Sequence, residues 1–173
     1  MKITRIWEMP TRWTFQMQCV KSLLLKYNVG KNWIDPFAGM TSPAEFRNDL
    51  NPDSPAEYHL KADEFISQLQ NKYTGILFDP PYSLRQVKEC YESFGMKFTQ
   101  YDTQESIRWN ELRDLISEKI LPAGYAINFG WSSSGFGKGR GFEIIEILLI
   151  CHGGAHNDTI VTVEQKSDQQ NLF

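Results

Sequence analysis

Ile76-Leu77-Phe78-Asp79-Pro80-Pro81-Tyr82 is the stretch from which the rest of the chain is read. Three consecutive apolar residues, opened by Gly75 and closed by an acid and two prolines, are too short for a helix and fit a strand buried on both faces. Two prolines cannot continue a strand ladder, so the chain must leave the sheet at Asp79. A carboxylate is thereby set at the carboxyl end of a buried strand, on a stiff loop, with an aromatic ring three residues on.

Upstream of it, Phe15, Cys19, Leu23 and Tyr27 recur at every fourth position, with Val20 and Leu24 beside them, which predicts an amphipathic helix over 15–27. Asn28-Val29-Gly30 ends that helix. Asn32-Trp33-Ile34 predicts a short strand leading into Asp35-Pro36-Phe37-Ala38-Gly39, a turn in which Gly39 permits close backbone approach. Strands are also predicted over 45–50, 58–62, 75–78 and 125–129, with a helix over 63–73. Downstream, helices are predicted over 84–94 and 103–121, the second with Asp102 as N-cap and Pro122-Ala123-Gly124 as its stop. The run 143–150 reads as a strand buried on both faces, and the turn 153–158 with the alternating 159–164 as a closing antiparallel hairpin. Strands mixed with helices in this order give an α/β sheet.

The chain of 173 residues, 41% hydrophobic, supports one core, so a single domain over 1–166 is expected, with a polar tail over 167–173. A net charge of -3 excludes broad electrostatic capture of nucleic acid as the whole basis of function, although it is compatible with a local basic patch. Cys19, Cys90 and Cys151 are odd in number and widely spaced, which suits reduced thiols in a cytoplasmic compartment. Residues 1–8 alternate charged and apolar side chains without the apolar core of a secretory signal. The longest apolar stretch, 144–150, contains Glu146 and is too short to span a bilayer, so no membrane association is expected. Cys151, His152, His156 and Asp158 lie close together but match no strong ligand spacing, and no metal is expected.

The chemistry of the Asp79 loop follows from its parts. An exocyclic amino group on a purine is a poor nucleophile because its lone pair is delocalised into the ring. Asp79 and the Pro80 carbonyl supply two acceptors for its hydrogens, and a fixed carboxylate stabilises the positive charge that develops on nitrogen as a methyl group leaves a sulfonium donor. With an ordinary pKa of about 3.9, Asp79 is an acceptor and electrostatic stabiliser rather than a base that acts first. Pro80 and Pro81 limit loop entropy, and Tyr82 offers a face for an extruded base. For the donor, Asp35 stands where the first strand of a nucleotide-binding sheet ends, Asp49 follows the next strand as a candidate for ribose hydroxyls, and Asp63 follows the third as a candidate for the donor's adenine, with Phe65 packing on that ring. Trp131, at the root of the Gly- and Ser-rich segment 132–141, and Lys138 and Arg140 within it are candidates for the flipped base and the phosphates, as are Arg85 and Lys88 for phosphates.

With these residues in place, the chain resembles an S-adenosylmethionine-dependent N6-adenine DNA methyltransferase, most closely the small phage and prophage type. Asp35-Pro36-Phe37-Ala38-Gly39 resembles that family's donor-binding motif, Asp79-Pro80-Pro81-Tyr82 its catalytic motif, and Thr14-Phe15-Gln16 its N-terminal donor-contacting segment, while 153–158 lies where the family has its terminal hairpin. The resemblance implies a Rossmann-like class I methyltransferase sheet, mostly parallel with an antiparallel C-terminal hairpin. It implies S-adenosylmethionine as cofactor, donor contacts from Phe15, Asp35, Pro36, Phe37, Gly39, Asp49, Asp63 and Phe65, and DNA as substrate. RNA as substrate and a non-catalytic donor-binding subunit are the alternatives left open. The chain departs from the family at Thr41, where a further glycine is common, and in its shortened crossovers between 39 and 63. That shortening leaves one sheet face to be covered by the 15–27 helix or by a second subunit, and the lack of an inserted recognition block points to weak sequence choice or a recognition partner.

Overall fold

The computed structural model describes residues 1–81, 88, 105–154 and 156–168. Seven strands form one sheet: β1 (Lys2–Trp7), β2 (Trp33–Asp35), β3 (Phe46–Arg47), β4 (Tyr73–Phe78), β5 (Ile120–Gly130), β6 (Phe142–Cys151) and β7 (Thr159–Lys166). Among the described residues, three helices accompany them: α1 (Gln18–Lys26), α2 (Ala62–Gln68) and α3 (Glu105–Lys119). The strand order is β1-β6-β7-β5-β4-β2-β3, and every neighbouring pair is parallel except those made by β7, which is antiparallel to both β5 and β6. The chain runs outward from β2 to β3 and then returns to the other side of β2 with β4. That reversal opens a crevice at the carboxyl ends of β2 and β4, the place where open α/β sheets hold ligands.

Alternation along the strands divides the core in two. Leu77, Ile127, Phe129, Leu148, Ile150, Val161 and Val163 face α1, which presents Cys19, Val20, Leu23 and Leu24. Ile76, Phe78, Ala126 and Phe142 face α2 and α3, which present Phe65, Ile66, Leu112 and Ile116. The face left short by the trimmed crossovers is therefore covered by α1, which the every-fourth pattern anticipated. A one-turn 3-10 helix, Thr14–Gln16, replaces the first turn of the expected 15–27 helix. Met17, the N-cap of α1, offers no side-chain acceptor. Glu8 does so from a distance, accepting the amides of Gln18 at 2.6 Å and Cys19 at 2.9 Å, where a carboxylate also meets the positive end of the helix dipole.

Trp33 explains Gly75. The two residues are register partners on β2 and β4, and a Cβ on Gly75 would stand 2.6 Å from the Trp33 ring. The missing side chain lets the indole lie flat over β4 and stack on Tyr125 at 6.5 Å.

Four expectations are corrected. Within the alternating residues 1–8, from which no strand is expected, Lys2–Trp7 form β1, parallel to β6. The strand expected over 58–62 is reduced to a single bridge between Asn48 and Tyr58. Pro122-Ala123-Gly124 does not separate α3 from a later strand. The strand begins at Ile120 and bulges through these residues, pairing Tyr73 with Ile120 and then Gly75 with Tyr125, with Ala123 at φ 59. The strand β6 lies inside the sheet, but Ile147 and Leu149 are only half-buried, and its buried acid, Glu146, is held on the α1 side by Lys26 and the Tyr27 hydroxyl. Of the expected helix 84–94 only Lys88 is described, and Asp102 also lies outside the described residues. Cys19 and Cys151 are buried free thiols, and among the described residues no helix is long and apolar enough to cross a membrane.

Candidate active site

The site is built around Asp35, the last residue of β2. With β3 on one side and β4 on the other, its side chain is fully buried. Its carboxylate accepts the Phe37 amide at 2.9 Å on one oxygen and the Ser42 hydroxyl at 2.6 Å on the other. Burial nonetheless pushes its pKa up to about 7, and the nearby charges of Asp79 and Asp49 push in the same direction against those hydrogen bonds. Asp35, Asp49 and Asp79, three of the four acids that the sequence placed at strand ends, are thus brought into one electrostatic neighbourhood, and Asp63 is not among them.

Asp49 lies two residues beyond β3 and ties the donor loop to its own turn. One oxygen accepts the Gly39 amide and the other the Asn51 amide, both at 2.8 Å. A carboxylate has further lone pairs, so it can still take hydroxyl donors. Gly39 has φ 54, and no atom lies within 4 Å of the position its Cβ would take. Thr41, at the position where the sequence departs from the expected glycine, keeps a buried hydroxyl oxygen without a partner in the protein. Clustered carboxylates, an open stretch of backbone and an orphaned hydroxyl make a cradle suited to an organic cation that also carries hydrogen-bonding groups. A carboxylate raised by its acidic neighbours gains most from such a cation.

Asp79 follows Phe78 at the end of β4 and is half-buried, Pro80 is buried and Pro81 half-buried. Phe37 of the donor loop sits edge-on to Phe78 at 5.5 Å and to Trp109 at 5.3 Å, so three rings join the donor loop, the root of the catalytic loop and α3. Pro36 is buried, and its carbonyl accepts Asn48 Nδ2 at 3.1 Å. Phe15 is packed into the core against Phe129 at 5.5 Å.

Two of the expected roles are corrected. Phe65 is wholly buried beneath α2, tilted against Tyr58 at 5.2 Å, so its ring has no face open to a ligand. Arg140 is a structural clamp: its guanidinium bonds Asp114 at 2.6 Å, the Phe136 carbonyl at 2.9 Å and the Asn110 carbonyl at 3.2 Å. The segment around it is anchored as well. Phe136 is buried between Phe78 and Phe142, and buried Glu164 accepts the amides of Phe136 at 2.7 Å and Gly137 at 2.9 Å. Of that segment's cations only Lys138 stands well out, 3.7 Å from Glu143. Trp131, at the end of β5, is 46% exposed. Asp63 is exposed on the first turn of α2, and Lys88 is exposed. Tyr82 and Arg85 lie outside the described residues.

Three residues of the site were not singled out in the sequence. Asn48 is buried and joins three segments, donating to the Pro36 and Leu60 carbonyls and accepting the Leu60 amide at 2.9 Å. Ser42 orients Asp35. Trp109 completes the aromatic triad. For Asn48 a signal existed, since an amide in a strand expected to be buried must find partners there.

No protein-family model matches the sequence, and no curated protein matches it. Solved structures do. TrmN from Thermus thermophilus aligns with a TM-score of 0.51 and 17% identity, over 87% of this chain and 49% of that one. The 1,6-didemethyltoxoflavin-N1-methyltransferase of Burkholderia thailandensis, with 1,6-didemethyltoxoflavin and S-adenosylhomocysteine bound, aligns with 0.54 and 11%, over 86% and 76%. The N-methyltransferase NodS of Bradyrhizobium japonicum aligns with 0.50 and 9%, over 84% and 93%. The chain spans about half the length of TrmN. At these identities the likeness concerns architecture, and in architecture the chain has the Rossmann-like methyltransferase sheet, mostly parallel with an antiparallel hairpin at its C-terminal end.

Proposed function

We propose that this protein transfers a methyl group from S-adenosylmethionine to N6 of adenine in DNA. The observation that carries the reading is the juxtaposition of Asp79, on its Pro80-Pro81 loop, with the Asp35 and Asp49 cradle across the reversal in strand order. Bound there, the donor supplies a methyl group on a positively charged sulfur. Asp35 and Asp49 favour cationic and hydroxyl groups, Gly39 leaves room for close approach, and Thr41 offers a hydroxyl. Asp79 and the Pro80 carbonyl accept the two amino hydrogens of the target, and the Asp79 charge is most effective as nitrogen becomes positive. The fold neighbours support the donor and a nitrogen acceptor, since two are named as N-methyltransferases and one holds S-adenosylhomocysteine. Lys138, Trp131 and Lys88 are the described residues that remain as substrate contacts.

The test is incubation with tritiated S-adenosylmethionine and either DNA or RNA oligonucleotides, followed by digestion and nucleoside mass spectrometry. N6-methyldeoxyadenosine is the expected product. Label confined to RNA, or carried on another base, overturns the assignment.

A further inference from the structure

The carboxyl edge of the sheet extends well beyond the two strands that carry the acids. At its far end a cavity of about 500 Å³ opens among Trp7 at the end of β1, Trp131 at the end of β5, and Gly153, Asn157, Asp158 and Ile160 of the β6–β7 hairpin. Neither Trp7 nor the hairpin has a part in the chemistry assigned to Asp79. We propose that this cavity is a second nucleobase site, which takes an unstacked base from the same strand as the adenine to be methylated; the proposal rests on the nucleic-acid reading given above.

Three observations carry it. The first is what lines the cavity. The Trp7 and Trp131 indoles, 67% and 46% exposed, line it with apolar surface, while Asn157 and Asp158 offer the donors and acceptors that the edge of a base requires. The volume is that of a small-ligand pocket.

The second is how the cavity is held. Gly153 has φ 70, and a Cβ there would stand 3.3 Å from the Trp7 ring, so a side chain at this position would be strained and would push the indole outward. Buried His152 fixes the hairpin root. The Glu8 carbonyl can only accept, so Nδ1 donates to it at 2.6 Å and Nε2 accepts the Thr159 hydroxyl at 2.9 Å. Asp158 accepts the His152 amide at 3.1 Å through one oxygen, and its other oxygen has no bond to that amide. Arg5 lies over one face of the Trp7 ring at 5.2 Å, its Nε donating to Cys151 Sγ at 3.1 Å, and leaves the other face to a base whose phosphate this cation would meet.

The third is position. In the strand order β1-β6-β7-β5-β4, Trp131 ends the strand next to Asp79 and Trp7 ends the last strand of the row. At about 4.8 Å per strand, the middle of the cavity is roughly 10 to 15 Å from Asp79. That is about three or four stacked nucleotides at about 3.4 Å each, and fewer once the bases are splayed apart.

The test uses the full chain and fluorescein-labelled single-stranded DNA 15-mers with one central adenine, in which each position in turn is replaced by an abasic site. Binding is followed by fluorescence anisotropy. One position within about four nucleotides on one side of the adenine should raise Kd about tenfold when its base is removed. Trp7→Ala should abolish that sensitivity and Trp7→Tyr should retain it, with thermal melting to confirm that both variants are folded. A Kd uniform across the series, sensitivity that persists in Trp7→Ala, or no binding of the 15-mers overturns the proposal. So does a dimer that forms without DNA and is lost in Trp7→Ala, which would assign the cavity to a second copy. Methyl transfer to the same oligonucleotides, measured in parallel, keeps the two readings apart. Position-dependent binding without transfer fails the adenine chemistry alone, and transfer with uniform binding fails the second site alone.

Discussion

At the scale of single residues, the carboxylates at the strand ends give the sharpest expectations. Asp79→Ala should lower methyl transfer by at least a hundredfold while leaving donor affinity nearly unchanged, as expected for a group that acts mainly in the transition state; single-turnover kinetics with donor binding by calorimetry separate the two quantities. Asp49→Ala should instead weaken donor binding, because it removes a candidate hydroxyl acceptor and frees the Gly39 amide. Asp35 brings in pH. Its pKa of about 7 in the fold stands above the ordinary 3.8, so the folded state holds this proton more tightly than the unfolded chain does. Its contribution to stability therefore falls as pH rises from about 4 to about 7 and is level above that. A cationic donor that prefers the ionised form should bind about tenfold more tightly at pH 8 than at pH 6, and Asp35→Asn should flatten that dependence in a titration series. Asp35 and Asp79 were legible in the sequence because each follows an apolar run, and Asp49 because it falls near the end of an expected strand. Phe65 and Arg140 were misassigned because an aromatic ring or a cation near a site has the same one-letter code whether it faces a ligand or the interior, and only packing against Tyr58 or Asp114 decides.

At the scale of elements, the segment between β5 and β6 is pinned to the sheet in spite of its glycines and serines. Glu164 fills the space beside Gly135, where a Cβ would stand 2.0 Å from its carboxylate, and takes hydrogen bonds from two loop amides and from Asn128 Nδ2 at 3.0 Å. Glu164→Ala would strand three buried donors, and a loss of about 3 kcal/mol in urea denaturation is expected, with Glu164→Gln intermediate. Elements with strong periodicity were legible in advance: α1 from its every-fourth apolar residues, β4 from its apolar run and β7 from alternation. The failures have physical causes. Alternation in 1–8 is a strand signal, but its partner β6 lies far away in sequence, and nothing local announces the pairing. Pro122 and Gly124 act as breakers in a helix, yet a bulged strand admits both. Residues 58–62 have strand composition but only Asn48 to pair with.

For the whole molecule, the acidic balance and, among the described residues, the few outward cations near the site limit how nucleic acid is held. Lys138, Lys88 and Arg5 are those described cations, and the net charge is -3. The affinity for single-stranded DNA should therefore fall only gently with salt, with a log-log slope no steeper than about -2, given roughly 0.7 per phosphate contact. A slope of about -5 or steeper, measured by anisotropy at several salt concentrations, would reveal a basic surface that these residues do not provide. Stacking in the far cavity, which salt hardly affects, would then supply much of the affinity.

The pairing of β1 with β6 also bears on the order in which the chain folds. Lys2 stands opposite Glu146 and Trp7 opposite Cys151, so the N-terminal strand has no edge to join until β6 exists. Closing a loop of that length costs entropy that local contacts do not incur, which favours the assembly of β2, β4, β5 and their helices first. Docking of β1 is then a late event, and Glu8 arrives with it to cap α1 and to receive His152. A ribosome-bound chain lacking β6 would keep α1 uncapped and Trp7 unplaced, so the far end of the carboxyl edge matures after the half that carries Asp35 and Asp79.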